Sequence, residues 1–135
     1  MSADKANEVG AKPRARVIAA ATSGNEPEYM GVAPIGAIKN VLKQAGMTMD
    51  DVDVVELNEA FAAQVIPIME KCEIPLEKLN PHGGAIALGH PFGMTGARIM
   101  CTLLNDLETA DQTIGLETMC VAGGQGMAMV VERLN

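Results

Sequence analysis

The sequence predicts an α/β domain in which a mixed sheet of about five strands carries helices on both faces. Three observations lead there. Short apolar runs of strand length alternate with longer segments whose apolar residues recur at helical spacing. The chain closes on two strand-like runs separated by Ala122-Gly-Gly-Gln-Gly126, which read as an antiparallel hairpin added to that alternation. Aromatic residues make up only 2% of the chain, namely Tyr29, Phe61 and Phe92. The core therefore has to come from Ala, Val, Ile, Leu and ten methionines, which suits a layered packing of small residues. At 135 residues there is room for one domain. No repeat, low-complexity tract or long linker divides it.

Residues 2–9 read as a short helix, with Ser2 as N-cap and Gly10 at the left-handed position past its end. Arg16 to Ala21 is an apolar run between Pro13 and a Ser23-Gly24-Asn25 turn, hence a buried strand. Ala33 to Ala45 places Ile35, Ile38, Leu42 and Ala45 at helical spacing, with Pro34 in the first turn and Gly46 just past the end. Val52 to Leu57 reads as a second strand. Glu59 to about Lys71 reads as a helix with Phe61, Val65 and Met69 on its apolar face and a kink or split at Pro67, whose ring removes a backbone donor. A helix over about 94–108 buries Met100, Leu103, Leu104 and Leu107, and Thr113 to Val121 and Met127 to Arg133 complete the sheet.

With 48% apolar and 20% charged residues, the composition is that of a soluble globular protein. Seventeen acidic against ten basic side chains give a net charge of −7, and residues 41–135 carry −8 of it by themselves. No basic stripe with interleaved aromatics is present, which argues against nucleic acid. No apolar run approaches the ~18 residues of a membrane span, and the N-terminus lacks the apolar core of a signal peptide. Cys72, Cys101 and Cys120 are odd in number and lack metal-ligand spacing, which disfavours a disulfide framework and a zinc site. A cytoplasmic protein is expected, with no metal.

Three segments could carry chemistry. Asn80 to Gly96 concentrates glycines around His90, which sits between Gly89 and Pro91. Proline holds the preceding residue in extended backbone, so His90 reads either as an accessible acid, base or donor or as a loop histidine satisfied by the backbone. Met119 to Gly126 places Cys120 at a strand end before small residues, where backbone N–H groups can reach an oxyanion. A buried inert thiol before a tight hairpin fits the same pattern. Asn58 stands at a strand-to-helix junction, the position of a helix N-cap. Glu56 and Glu59 flank it as a possible carboxylate pair, although a solvated face is the expectation for both.

Together, Asn58-Glu-Ala-Phe61, Gly83-Gly-Ala-Ile-Ala-Leu-Gly-His90-Pro and Cys120-x-x-Gly-Gly-Gln-Gly126 resemble the C-terminal part of the thiolases. That family comprises the acetyl-CoA acetyltransferases and 3-ketoacyl-CoA thiolases, acyl-CoA C-acyltransferases that cleave 3-ketoacyl-CoA with CoA or run the reverse condensation. The resemblance implies a thiolase-like C-terminal half across residues 1–135, with 1–12 as the remnant of a connection to an N-terminal half. It implies that His90 activates the nucleophilic cysteine and donates to the thioester oxygen, while Asn58 holds a water of that oxyanion hole. Cys120 would be the second, acid/base cysteine, and the Ala122 N–H part of a second oxyanion hole. Met30, Ala60 and Phe61 match positions lining the acyl and pantetheine pocket. Coenzyme A enters as substrate, with no prosthetic group, and the setting is fatty-acid metabolism such as β-oxidation.

The family's nucleophilic cysteine belongs to its N-terminal half, and nothing in these residues matches that segment. The expected partners are therefore acyl-CoA or CoA together with an N-terminal half or another copy. The chain should lack turnover alone, and a non-catalytic interaction module or an unproductive truncated fragment are the alternatives. Ala122 stands where the family usually has glycine, and His82 where it has asparagine.

Overall fold

The computed structural model describes residues 1–134. In chain order the elements are α1 (Ala3–Glu8), β1 (Ala15–Gly24), α2 (Pro34–Ala45), β2 (Val54–Leu57), α3 (Ala62–Lys71), the single turn α4 (Ala85–Leu88), α5 (Thr95–Thr109), β3 (Ile114–Val121) and β4 (Gln125–Arg133). The sheet runs β1-β4-β3-β2. β2 and β3 are parallel and the other two pairs antiparallel, so the sheet is mixed as expected.

It has four strands rather than about five. The place of a fifth, beside β2, is reduced to one parallel bridge between Val55 and Leu79. The next residue ends it. Asn80 adopts a left-handed φ of 45°, which cannot continue a strand. Its amide takes over the bonding instead: Oδ1 accepts from Leu57 N at 2.8 Å and Nδ2 donates to Leu57 O at 3.0 Å.

Helices cover both faces. Strand alternation sends Val55 and Leu57 to one side, where they meet Ile38 and Val41 of α2 and Ile68 of α3. Val54 and Val131 face the other side and pack on Leu103 and Leu107 of α5. Gly115 lies directly beneath α5, where a Cβ would come within 2.8 Å of Leu103.

The ends of α1 and α2 follow their caps. Ser2 Oγ accepts from Lys5 N at 3.2 Å, and α1 is followed by Gly10 at φ 66°. α2 stops at Gly46, φ 69°, whose N–H bonds the last-turn carbonyls. Alanine at that left-handed position should cost about 1 kcal/mol. In urea unfolding, Gly46→Ala is expected to lower the midpoint without changing the slope.

α3 departs from expectation at its start. It begins at Ala62 with Phe61 as its cap residue, and it is one helix across Pro67. Asn58 is therefore not its N-cap. Phe61 lies outside the buried face, 70% exposed, and Gln64 and Ile68 point inward in its place.

Candidate active site

His90 follows Gly89, whose φ of 96° turns the chain out of α4, and precedes the turn 91–94 that leads into α5. Thr95 opens α5 and is buried. Its Oγ1 lies 3.2 Å from Pro91 O, to which it can donate. With Asn58 Nδ2, which can only donate, facing Nε2, the 2.8 Å contact between Thr95 Oγ1 and His90 Nδ1 is donated by the ring in a neutral His90, and the hydroxyl proton is left for Pro91 O. A neutral His90 thus carries its proton on Nδ1 and leaves Nε2 as the acceptor. Nε2 faces Asn58 Nδ2 at 3.3 Å, where the amide donates to it. The Phe92 ring packs edge-on against the imidazole, with centroids 4.9 Å apart and planes at 66°.

Asn58 ends β2, and its N–H donates to Thr118 O at 3.0 Å. Its side chain is fully buried, and Oδ1 has no protein donor among the described residues.

Cys120 lies near the end of β3, opposite Gly126 of β4. Burial pushes its thiol up, against a smaller lowering effect of its own backbone hydrogen bond. The thiol is held protonated. In the hairpin turn, Gly123 and Gly124 have φ of 85° and 87°, whereas Ala122 does not adopt a positive φ. The methyl group at 122 therefore carries no conformational penalty.

Met30, Ala60, Phe61, His90, Cys120 and Ala122 line one open cavity of ≈ 800 Å³. Asn58 reaches it through its contact with His90. The rim is apolar and bare, with Phe92 87% and Phe61 70% exposed. Cys72, by contrast, is buried in the core, where desolvation raises its thiol to about 11, and Cys101 is exposed on α5. Among the described residues no cluster of His, Cys, Asp and Glu could hold a metal, and no helix is long and apolar enough to cross a membrane.

Thr95 is not singled out by the sequence, although its hydroxyl in the first turn after His90-Pro91 is the available signal. The solvated face expected for Glu56 and Glu59 fails for Glu56 and holds only in part for Glu59, which is half-buried. Glu56 is fully buried on the α5 side of β2, beside Asp106, and Glu59 is hydrogen-bonded to Asn80 and to the backbone of Ile86. His82 puts Nδ1 2.6 Å from Asp106 Oδ1.

Residues 11–133 match the family model described as "Thiolase, C-terminal domain". The chain belongs to the thiolase family and corresponds to its C-terminal domain. The relatives it matches include the 3-ketoacyl-CoA thiolases of Idiomarina loihiensis, 51% identical over 137 residues, and of Vibrio parahaemolyticus, 52% identical over 136 residues. These alignments cover 99% and 98% of this chain and 35% of each relative. Among solved structures, the Bacillus anthracis acetyl-CoA acetyltransferase superposes with a TM-score of 0.95 at 39% identity, covering 99% of this chain and 34% of that one. The chain thus spans about a third of the length of the proteins it matches.

Proposed function

We propose that this chain supplies the C-terminal half of a 3-ketoacyl-CoA thiolase active site and that the nucleophilic thiol comes from chain outside these residues. The observation that carries the reading is the Asn58 Nδ2 to His90 Nε2 contact on the cavity that Cys120 also lines. A ring with its Nδ1 proton held by Thr95 offers Nε2 as a base. It takes the proton of the incoming thiol, and the thiolate attacks C3 of the 3-ketoacyl-CoA.

As the C2–C3 bond breaks, negative charge moves onto the thioester oxygen of the departing acyl-CoA. The protonated Nε2 of His90 donates to it, with a water held by Asn58 as the second donor. The unpaired, buried Oδ1 of Asn58 is an acceptor such a water would satisfy. The Cys120 thiol gives its proton to C2, completing the first product. The Cys120 thiolate then takes the proton of CoA, whose sulfur attacks the acyl-enzyme and releases the shortened acyl-CoA. The Ala122 N–H serves the tetrahedral oxyanion of that second step. Met30, Ala60 and Phe61 bound the space for the acyl and pantetheine chain.

The bare apolar rim supports an incomplete site, since patches of this kind mark surfaces that bind a partner or substrate. The 135-residue polypeptide should show no thiolysis of a short 3-ketoacyl-CoA by itself, and activity should appear when an N-terminal thiolase half is supplied. CoA-dependent cleavage by the pure polypeptide would overturn the division of labour. No activity in a complete chain carrying these residues would overturn the reading itself.

A further inference from the structure

The contact between Asn58 and His90 joins two segments 32 residues apart, and neither side chain fixes the other's backbone. Something else must hold the glycine loop at that distance from β2. Glu59, the residue after Asn58, is placed to do so. Its Oε1 accepts from Asn80 Nδ2 at 2.7 Å and its Oε2 from Ile86 N at 3.0 Å. Asn80 is itself bonded to both backbone groups of Leu57, so one end of this link is anchored on β2. Ile86 belongs to α4, a turn closed by Leu88 N to Gly84 O and Gly89 N to Ala85 O at 3.0 and 2.8 Å, which delivers the chain to His90.

A second observation supports the same link. A Cβ on Gly84 would lie 2.2 Å from the Glu59 carboxyl carbon and 2.5 Å from both oxygens. The loop can close on the carboxylate only because residue 84 has no side chain. Bonds to an ionised acceptor are stronger than neutral ones, so two of them at one carboxylate define a position firmly.

We infer that Glu59 is a positioning residue: its carboxylate clamps α4 to the end of β2 and so sets the His90 ring against Asn58. Thr95 fixes the rotation of the ring, and Glu59 fixes where the ring stands. The inference rests on the reading of His90 as the base of the thiolase site. It does not need turnover for its test.

The chain has only two histidines, so His90 and His82 can be followed separately by nitrogen and proton NMR of the labelled 135-residue chain. Wild-type His90 should show the Nδ1–H tautomer. In Glu59→Ala and Glu59→Gln the Ile86 amide should exchange with solvent at least about tenfold faster, the expected effect of losing a bond to a charged acceptor. The His90 Nε2 signal should shift as its contact with Asn58 is lost, with Nδ1 still held by Thr95, while His82, bonded to Asp106, keeps its signals.

An unchanged His90 signature in both variants would overturn the inference, whatever happens at Ile86. So would a joint shift of both histidines, which would show general loosening. Glu59→Gln keeps the size of the side chain and decides the matter if Glu59→Ala fails to fold. A His90→Ala variant that stays active in a complete enzyme would remove the thiolase reading while leaving the effect of Glu59 on the ring intact.

Discussion

Cys120→Ala, placed in a chain that carries both halves of the site, should lower the thiolysis rate at least about 100-fold, the smaller end of what a positioned acid/base contributes. The loss is expected in kcat with KM little changed, because a short thiol adds little to binding a long acyl-CoA. Burial raises the Cys120 thiol and keeps it protonated near neutrality. That suits the step in which a proton is given to C2. Cys101→Ala, on the exposed side of α5, is the matched control and should leave the rate unchanged. Steady-state assays of the two variants side by side decide the role. A Cys120→Ala enzyme with near wild-type kcat would mean that solvent, or a group outside these residues, moves the proton.

Much of this arrangement is legible in the sequence. Ser2, Gly10 and Gly46 announce helix ends because capping is a local matter, decided by one side chain or one left-handed residue. The apolar period of α2 and α5 and the closing hairpin likewise depend on neighbours in sequence. What failed was decided over longer range. Asn80 closes the open edge of β2 by bonding Leu57, 23 residues away, and nothing near Asn80 reveals that partner. α3 starts late because Gln64 Oε1 accepts from Ala60 N at 3.1 Å and Phe61 turns outward, which an apolar period cannot anticipate. The candidate site divides in the same way. The glycine-flanked His90, Cys120 and Asn58 stand out by residue type, whereas Thr95 and Glu59 gain their roles only through contacts that the fold creates.

Glu56 is where that limit has the largest energetic consequence, and it yields the second strong prediction: Glu56→Gln should stabilise the chain at pH 8 and flatten its stability profile. Both carboxylate oxygens of Glu56 are buried without a donor, and so is Oδ2 of Asp106 beside it. Glu117, its neighbour in register on β3, faces the same side of the sheet, with Arg98 of α5 close by and His82 bonded to Asp106. Burial first, and the Asp106 charge second, push Glu56 up to about 8 despite Arg98, and burial alone pushes Glu117 up to about 7. A protonated Glu56 can donate to Asp106, which relieves both unpaired groups. The sign follows from proton counts. Above about pH 4.5 the unfolded chain has released this proton and the folded chain still holds it. Raising the pH toward 8 therefore favours unfolding, by about 1.4 kcal/mol per pH unit for each such proton. Asp51, held low by the Thr48 N–H and hydroxyl, and Glu108, held low by Arg14, act in the opposite sense and lose their contribution only in acid. Urea unfolding should thus find maximum stability near pH 5 and a steady decline to pH 8. Glutamine keeps the shape, cannot ionise, and should recover on the order of 1–3 kcal/mol at pH 8. A variant whose decline from pH 5 to pH 8 matches the wild type would show that Glu56 is ionised in the folded chain and neutralised by Arg98.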